Sequence, residues 1–139
     1  MIDKQEFYHG AALIRLLSDP RCKSLTRHQM GYCINGSVFV ILKYTTKHRS
    51  PWRYTFTNEE INQIHEAAGS FAKTIIIFIN AGDGISALSL NELDNVLGST
   101  IGWVSMSREF NEQYAASGSR GSLKHKISLT RWPGFAFDK

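Results

Sequence analysis

Residues 74–80, Thr-Ile-Ile-Ile-Phe-Ile-Asn, form an unbroken β-branched and aromatic run that no surface element could carry. A strand with one wet face alternates polar and apolar residues. This one is apolar on both sides, so it belongs at the centre of a sheet with both faces covered. Its apolar part, Ile75 to Ile79, is far shorter than the roughly 20 residues a helix needs to cross a bilayer. The rest of the chain must therefore supply more strands and two covering layers. With 139 residues, 42% apolar and 12% aromatic, it has enough for one domain, residues 1–139, and enough burial to offset the entropy of folding.

Three capping boxes mark helix starts at Asp3…Glu6, Thr57…Glu60 and Ser89…Glu92. The first predicts a helix to about Leu17, with Phe7, Ala11, Ile14 and Leu17 recurring at three- and four-residue steps. The second predicts a buried stripe of Ile61, Ile64, His65 and Ala68, stopped by Gly69. The third turns Leu90, Leu93, Val96 and Leu97 inward and ends at Gly98. Asn35-Gly36 suits the positive φ angles of a tight hairpin turn between strands at Gly31–Asn35 and Val38–Thr46. Further strands are expected at Trp52–Phe56, Thr74–Asn80, Thr100–Ser107, Tyr114–Ser117 and Leu123–Leu129. His125 lies on the apolar side of the last, so it and His65 read as core histidines. The expected fold is α+β (or α/β), with three helices on one mixed sheet of about six or seven strands.

Charge is segregated along the chain. Residues 20–58 carry seven basic side chains and no acid, residues 59–112 a net charge of −6, and residues 113–139 a net charge of +4. The basic segment either presents a positive face to phosphate or is neutralised by the acidic one, and sequence leaves both open. Lys43, Lys47, Arg49, Trp52 and Arg53 join cations to aromatics, as a surface that stacks bases and holds phosphate would. Trp52 and Tyr44 also fit as core residues on paired strands. Arg120, Lys124 and Lys126 could add to the same surface. Gly118-Ser119-Arg120-Gly121 resembles the G-x-x-G clamp of KH domains, but its flanks read as strands and predict a hairpin loop.

The element order α-β-β-β-α-β over residues 4–80 resembles the core of the restriction-endonuclease-like superfamily, the PD-(D/E)XK nucleases. That resemblance implies an acid-x-lysine on one strand and a second acid before it, holding Mg²⁺. Lys43 could be the lysine. Ile41 stands where its acid should be, and residues 31–56 contain no Asp or Glu. A nuclease would need migrated acids such as Glu6, Glu59, Glu60 or Asp83. The strings Lys43-Tyr44-Thr45-Thr46-Lys47, Ser50-Pro51-Trp52-Arg53-Tyr54-Thr55-Phe56, Asp83-Gly84-Ile85 and Trp103-Val104-Ser105 are similar to small bacterial and mobile-element proteins, a likeness that implies no activity.

Gly82-Asp83-Gly84-Ile85-Ser86-Ala87 fits G-x-G-x-x-A, yet the next helix starts only at Ser89, and Asp83 would repel phosphate. A turn is expected, with Asp83 as a ligand-loop candidate at the end of a central strand. Cys22 and Cys33 read as free thiols, and with His28 and His48 they lack the close pairs of a zinc site. No metal and no cofactor are expected. Trp132, Phe135 and Phe137 form an aromatic tail that closes its own core or crosses to a partner. The N-terminus has no signal-peptide pattern, which predicts a cytoplasmic protein with no membrane contact. The first expectation for function is a non-catalytic or degenerate nuclease-like module that binds DNA or RNA. Alternatives are a homo-oligomeric interaction or small-ligand-binding protein, and a Mg²⁺-dependent nuclease.

Overall fold

Capping fixes where the helices begin. In the computed structural model, which describes residues 1–138, Asp3, Thr57 and Ser89 accept from the third helical amide while Glu6, Glu60 and Glu92 bond back. They open α1 (Lys4–Leu17), α2 (Asn58–Ser70) and α3 (Leu90–Val96). Among the described residues the nine strands are β1 (Leu25–His28), β2 (Gly31–Ile34), β3 (Val38–Thr45), β4 (Trp52–Phe56), β5 (Lys73–Asn80), β6 (Gly84–Ser89), β7 (Gly102–Ser107), β8 (Ala115–Gly118) and β9 (Gly121–Ser122). No helix among the described residues is long and apolar enough to cross a membrane.

The fold is α+β, but its strands make two sheets where one was expected. The first sheet has the order β1-β2-β3-β5-β6 with β3 parallel to β5, and the second is antiparallel in the order β4-β7-β8-β9. Trp52, Tyr54 and Phe56 alternate inward, so β4 gains more by lying across the interior from the first sheet than by extending it. The chain therefore runs α-β-β-β-β-α-β where α-β-β-β-α-β was expected, with an added β1 and with β4 in the other sheet.

Both faces of β5 are covered, as its composition requires: Ile75, Ile76, Ile77 and Phe78 are each 0% exposed. Phe39, Ile41, Ile76 and Phe78 face the second sheet, α2 and α3. Val40, Leu42, Ile75 and Ile77 face α1 and the C-terminal segment. The β2–β3 hairpin turns at Asn35 (φ 54°) and Gly36 (φ 71°), as predicted. At its other end a Cβ on Gly31 would collide with the Val40 carbonyl oxygen and the Phe39 ring.

Several local expectations change. The buried face of α1 is Ala12 and Leu16, while Phe7, Ile14 and Leu17 are 65%, 67% and 60% exposed. Both stripes of this helix are apolar, so periodicity alone could not choose between them. β6 fills the stretch read as a turn, and the turn itself is confined to residues 81–83. The strand expected at Leu123–Leu129 reduces to one bridge, Tyr114 to Ile127. His65 and His125 are not core residues: the first lies 4.0 Å from Asp94, and the second bonds Glu92 at 2.6 Å from a mostly exposed position.

The aromatic tail is not an open interface. Trp132 is buried against α1, and its indole N–H donates to the Ala12 carbonyl at 3.0 Å. Phe135 lies beneath Lys73 Nζ at 4.3 Å and the Arg131 guanidinium at 4.5 Å, and Phe137 beneath Arg21 at 4.9 Å. The tail closes its own core.

Candidate nucleic-acid interface

Of the seven basic side chains in residues 20–58, one pairs with the acidic segment among the described residues. Among the described residues Lys43 pairs with Glu60 and Arg21 with Asp19, whereas Lys23, Arg27, Lys47, Arg49 and Arg53 make no ion pair. Two basic groups that are far apart in sequence flank one sheet. Lys47 and Arg49 precede β4, Arg120 lies in the β8–β9 turn, and Lys124 and Lys126 follow β9. β4 and β9 are the outer strands of the second sheet, three strand spacings or roughly 14 Å apart.

Between these edges the sheet has an open face. Alternation sends Trp52, Tyr54, Phe56, Val104 and Met106 inward and leaves Arg53, Thr55, Trp103, Ser105 and Ser117 on the other side. Cross-strand register aligns Arg53 with Ser105, Ser105 with Ser117, and Ser117 with Ser122, so one arginine and three serines cross all four strands. The Arg53 guanidinium lies 4.3 Å from the centre of the Trp103 ring. Gly118 lets β8 sit tightly against α3, since a Cβ there would strike the Val96 and Trp103 carbonyl oxygens. Trp103 was missed from sequence. The clue was present, because Trp103 falls on the serine side of the alternating Gly102–Ser107 strand.

The residues singled out from sequence divide. Arg53 is on the open face and exposed, and Arg49, in the loop before β4, is exposed as well. Trp52 is 2% exposed and donates its indole N–H to the Lys47 carbonyl at 2.9 Å, so it is a core side chain and cannot stack with a base. Lys43 Nζ bonds the Thr55 carbonyl at 2.8 Å and Glu60 at 2.7 Å, and Lys47 Nζ bonds the Pro51 carbonyl at 2.9 Å. Those two carbonyls lie four residues apart, one just before β4 and one within it, and β4 is an edge strand of its sheet. A lysine on each blocks edge-to-edge pairing, which gives the acid-free loop a structural task. Arg120 packs its aliphatic stem over Gly98, Lys124 is exposed, and Lys126 reaches Glu112 at 3.6 Å.

Asp83 is not an open ligand loop. Both its oxygens are engaged: Arg108 donates at 2.6 and 2.9 Å and the Tyr114 hydroxyl at 2.6 Å. Beside it the Tyr54 hydroxyl donates to Asn80 at 2.7 Å, and the Asn80 amide donates to Ser86 at 3.1 Å. Burial pushes both tyrosine hydroxyls well above their ordinary range. The network fastens β5, β6 and the segment after β7 together.

This wiring predicts acid sensitivity. The Arg108 and Tyr114 hydrogen bonds hold Asp83 below the usual carboxylate range. Burial opposes ionisation of Glu92, but bonds from Arg131, the Ser89 amide and His125 outweigh it and lower its pKa as well. Groups depressed in the fold stabilise it above their unfolded pKa, about 4, and that stability is lost as pH falls through the folded values. His9 is lowered by burial and by Arg27, so below about pH 6.5 the unfolded chain binds the extra proton and stability declines there too. Urea midpoints should drop modestly from pH 7 to 5.5 and more steeply below pH 4, with Asp83→Asn flattening the lower step. A midpoint constant down to pH 3 would refute the assignment.

Cys22 and Cys33 are free, and no group of three or more His, Cys, Asp or Glu among the described residues is arranged to hold a metal ion. The Glu60 carboxylate, one of the candidate acids, is paired with Lys43 at 2.7 Å. No protein-family model matches the chain, and neither the curated proteins nor the solved structures include a significant match to it.

Proposed function

We propose that the protein binds single-stranded nucleic acid on the open face of the second sheet and does not cleave it. The reading rests on Arg53 stacked over Trp103 within a serine row, with basic side chains at both sheet edges. A guanidinium on an indole offers a flat cationic surface for a base, serine hydroxyls suit sugar and phosphate oxygens, and the edge cations attract the backbone. Glu60 is paired with Lys43, and among the described residues no group of three or more His, Cys, Asp or Glu is arranged to hold the metal that two-acid phosphodiester cleavage uses.

Fluorescence anisotropy with labelled single- and double-stranded DNA and RNA, Mg²⁺ present and products checked on a gel, tests this reading. Neutralising three or four phosphates of a single strand should weaken binding about 20- to 50-fold between 50 and 200 mM salt. Trp103→Ala should cost about 1–3 kcal/mol of affinity. Salt-independent binding, or full affinity in Trp103→Ala, would overturn the platform; cut products would revive the nuclease alternative.

A second reading, a homo-oligomeric interaction protein, draws on the exposed stripe Phe7, Ile14 and Leu17 of α1. Sedimentation should then show a concentration-dependent mass that Ile14→Lys abolishes. A monomer at every concentration removes this reading.

A further inference from the structure

Beyond Val40 one edge of β3 loses its partner. β2 pairs Tyr32–Ile34 with Val38–Val40 and then turns back into β1, while β3 continues to Thr45. The notch is a groove of about 410 Å³ at the meeting of α1, the β1–β2 hairpin, β3 and α2. That volume falls within the ~300–1,000 Å³ of small-molecule sites.

Its polar groups converge from different elements. Arg27 has no ion-pair partner among the described residues; its Nε donates to the Gln29 carbonyl at 3.2 Å and its guanidinium lies 5.4 Å from the Tyr32 ring. Across from it on α1, His9 lies 3.4 Å from the Tyr32 hydroxyl. The Lys43–Glu60 pair cancels its own charge at 2.7 Å, so Arg27 leaves the groove's lining net cationic, while Asp3 acts on His9 from outside that lining. Tyr44, stacked on Tyr8 at 5.2 Å, adds an aromatic wall. Gln5 and Gln29 line the groove with amide groups that can both donate and accept. One free cation, a neighbouring imidazole, an aromatic wall and two amides suit a ligand with one anionic end and a planar, hydrogen-bonding ring.

We infer that this groove binds a nucleoside 5′-monophosphate, with phosphate at Arg27 and His9 and the base between Tyr44 and the two glutamines. The site stands apart from the sheet-face reading. Its ligand is either a free mononucleotide or the 5′-phosphorylated end of a strand, which share this chemistry.

The test is an NMR titration of the full chain with AMP, GMP, CMP and UMP, their nucleosides, and a trinucleotide with and without a 5′-phosphate. At least one monophosphate should bind below about 1 mM and tenfold or more tighter than its nucleoside. The phosphate should also raise the titration midpoint of the His9 ring. Arg27 is exposed, so Arg27→Ala should fold normally and weaken binding about tenfold. The His9 and Tyr44 responses to a monophosphate should be the same in Trp103→Ala as in the unaltered chain while binding of a longer strand weakens, which separates failure of this site from failure of the sheet face. Tighter binding of the phosphorylated trinucleotide than of the monophosphate identifies a strand end, and weaker binding a free nucleotide. No response of His9 or Tyr44 at 5 mM of any monophosphate, nucleosides binding equally well, or an unaffected Arg27→Ala variant would each overturn the inference.

Discussion

Trp132→Ala should destabilise the protein by about 3–5 kcal/mol without changing its oligomeric state. Trp132 is 2% exposed, fills the space between α1 and the first sheet, and donates to the Ala12 carbonyl. Alanine would remove the indole, its hydrogen bond and the wedge that seats α1. Whole-domain stabilities run to about 5–15 kcal/mol, so this one change removes about a fifth or more of the total. Urea unfolding would measure the loss and sedimentation the mass. Phe137→Ala, half-buried under Arg21, should cost only about 1 kcal/mol. An unchanged urea midpoint together with a lower mass would show that the tail serves a partner after all.

The second large effect separates the two stripes of α1. Leu16 is 0% exposed, and Leu16→Ala should cost about 2–5 kcal/mol. Ile14 is 67% exposed, and Ile14→Ala should change stability by no more than about 0.5 kcal/mol. Equal losses at both positions would mean that the outer stripe is also covered in solution, which would favour the oligomer. The comparison matters because the two positions are chemically alike. Only their direction around the helix differs, and that is set by what packs against it.

Much of the local structure was legible because it rests on short-range backbone chemistry. Three capping boxes gave three helix starts, Asn35-Gly36 gave the hairpin turn, and the β-branched run gave the central strand. β1 was not legible, since Leu25–His28 has no alternation and is held from outside. Asn35 accepts from the amides of Lys23 at 2.7 Å and Ser24 at 3.1 Å and donates to the Arg21 carbonyl at 2.9 Å, which fixes the approach to that strand. β6 was hidden by glycines on both sides of Asp83, which read as one long turn.

The candidate site was half legible. Arg49, Arg53, Arg120, Lys124 and Lys126 were found as cations, but the face they flank appears only once β4 joins β7 in place of β3. Trp52 misled for the same reason, because a strand shows two faces in sequence without saying which one is covered.

The sequence by itself determined where helices start, where the chain turns, and that residues 74–80 lie at the centre, because caps, positive-φ residues and side-chain period act within a few residues. Tertiary structure alone decided that the strands split into two sheets, that α1 buries Leu16 and leaves Ile14 outside, and that the tail closes the core. Those choices depend on which apolar surfaces fit together across the chain, and burial has no direction until its partner is in place.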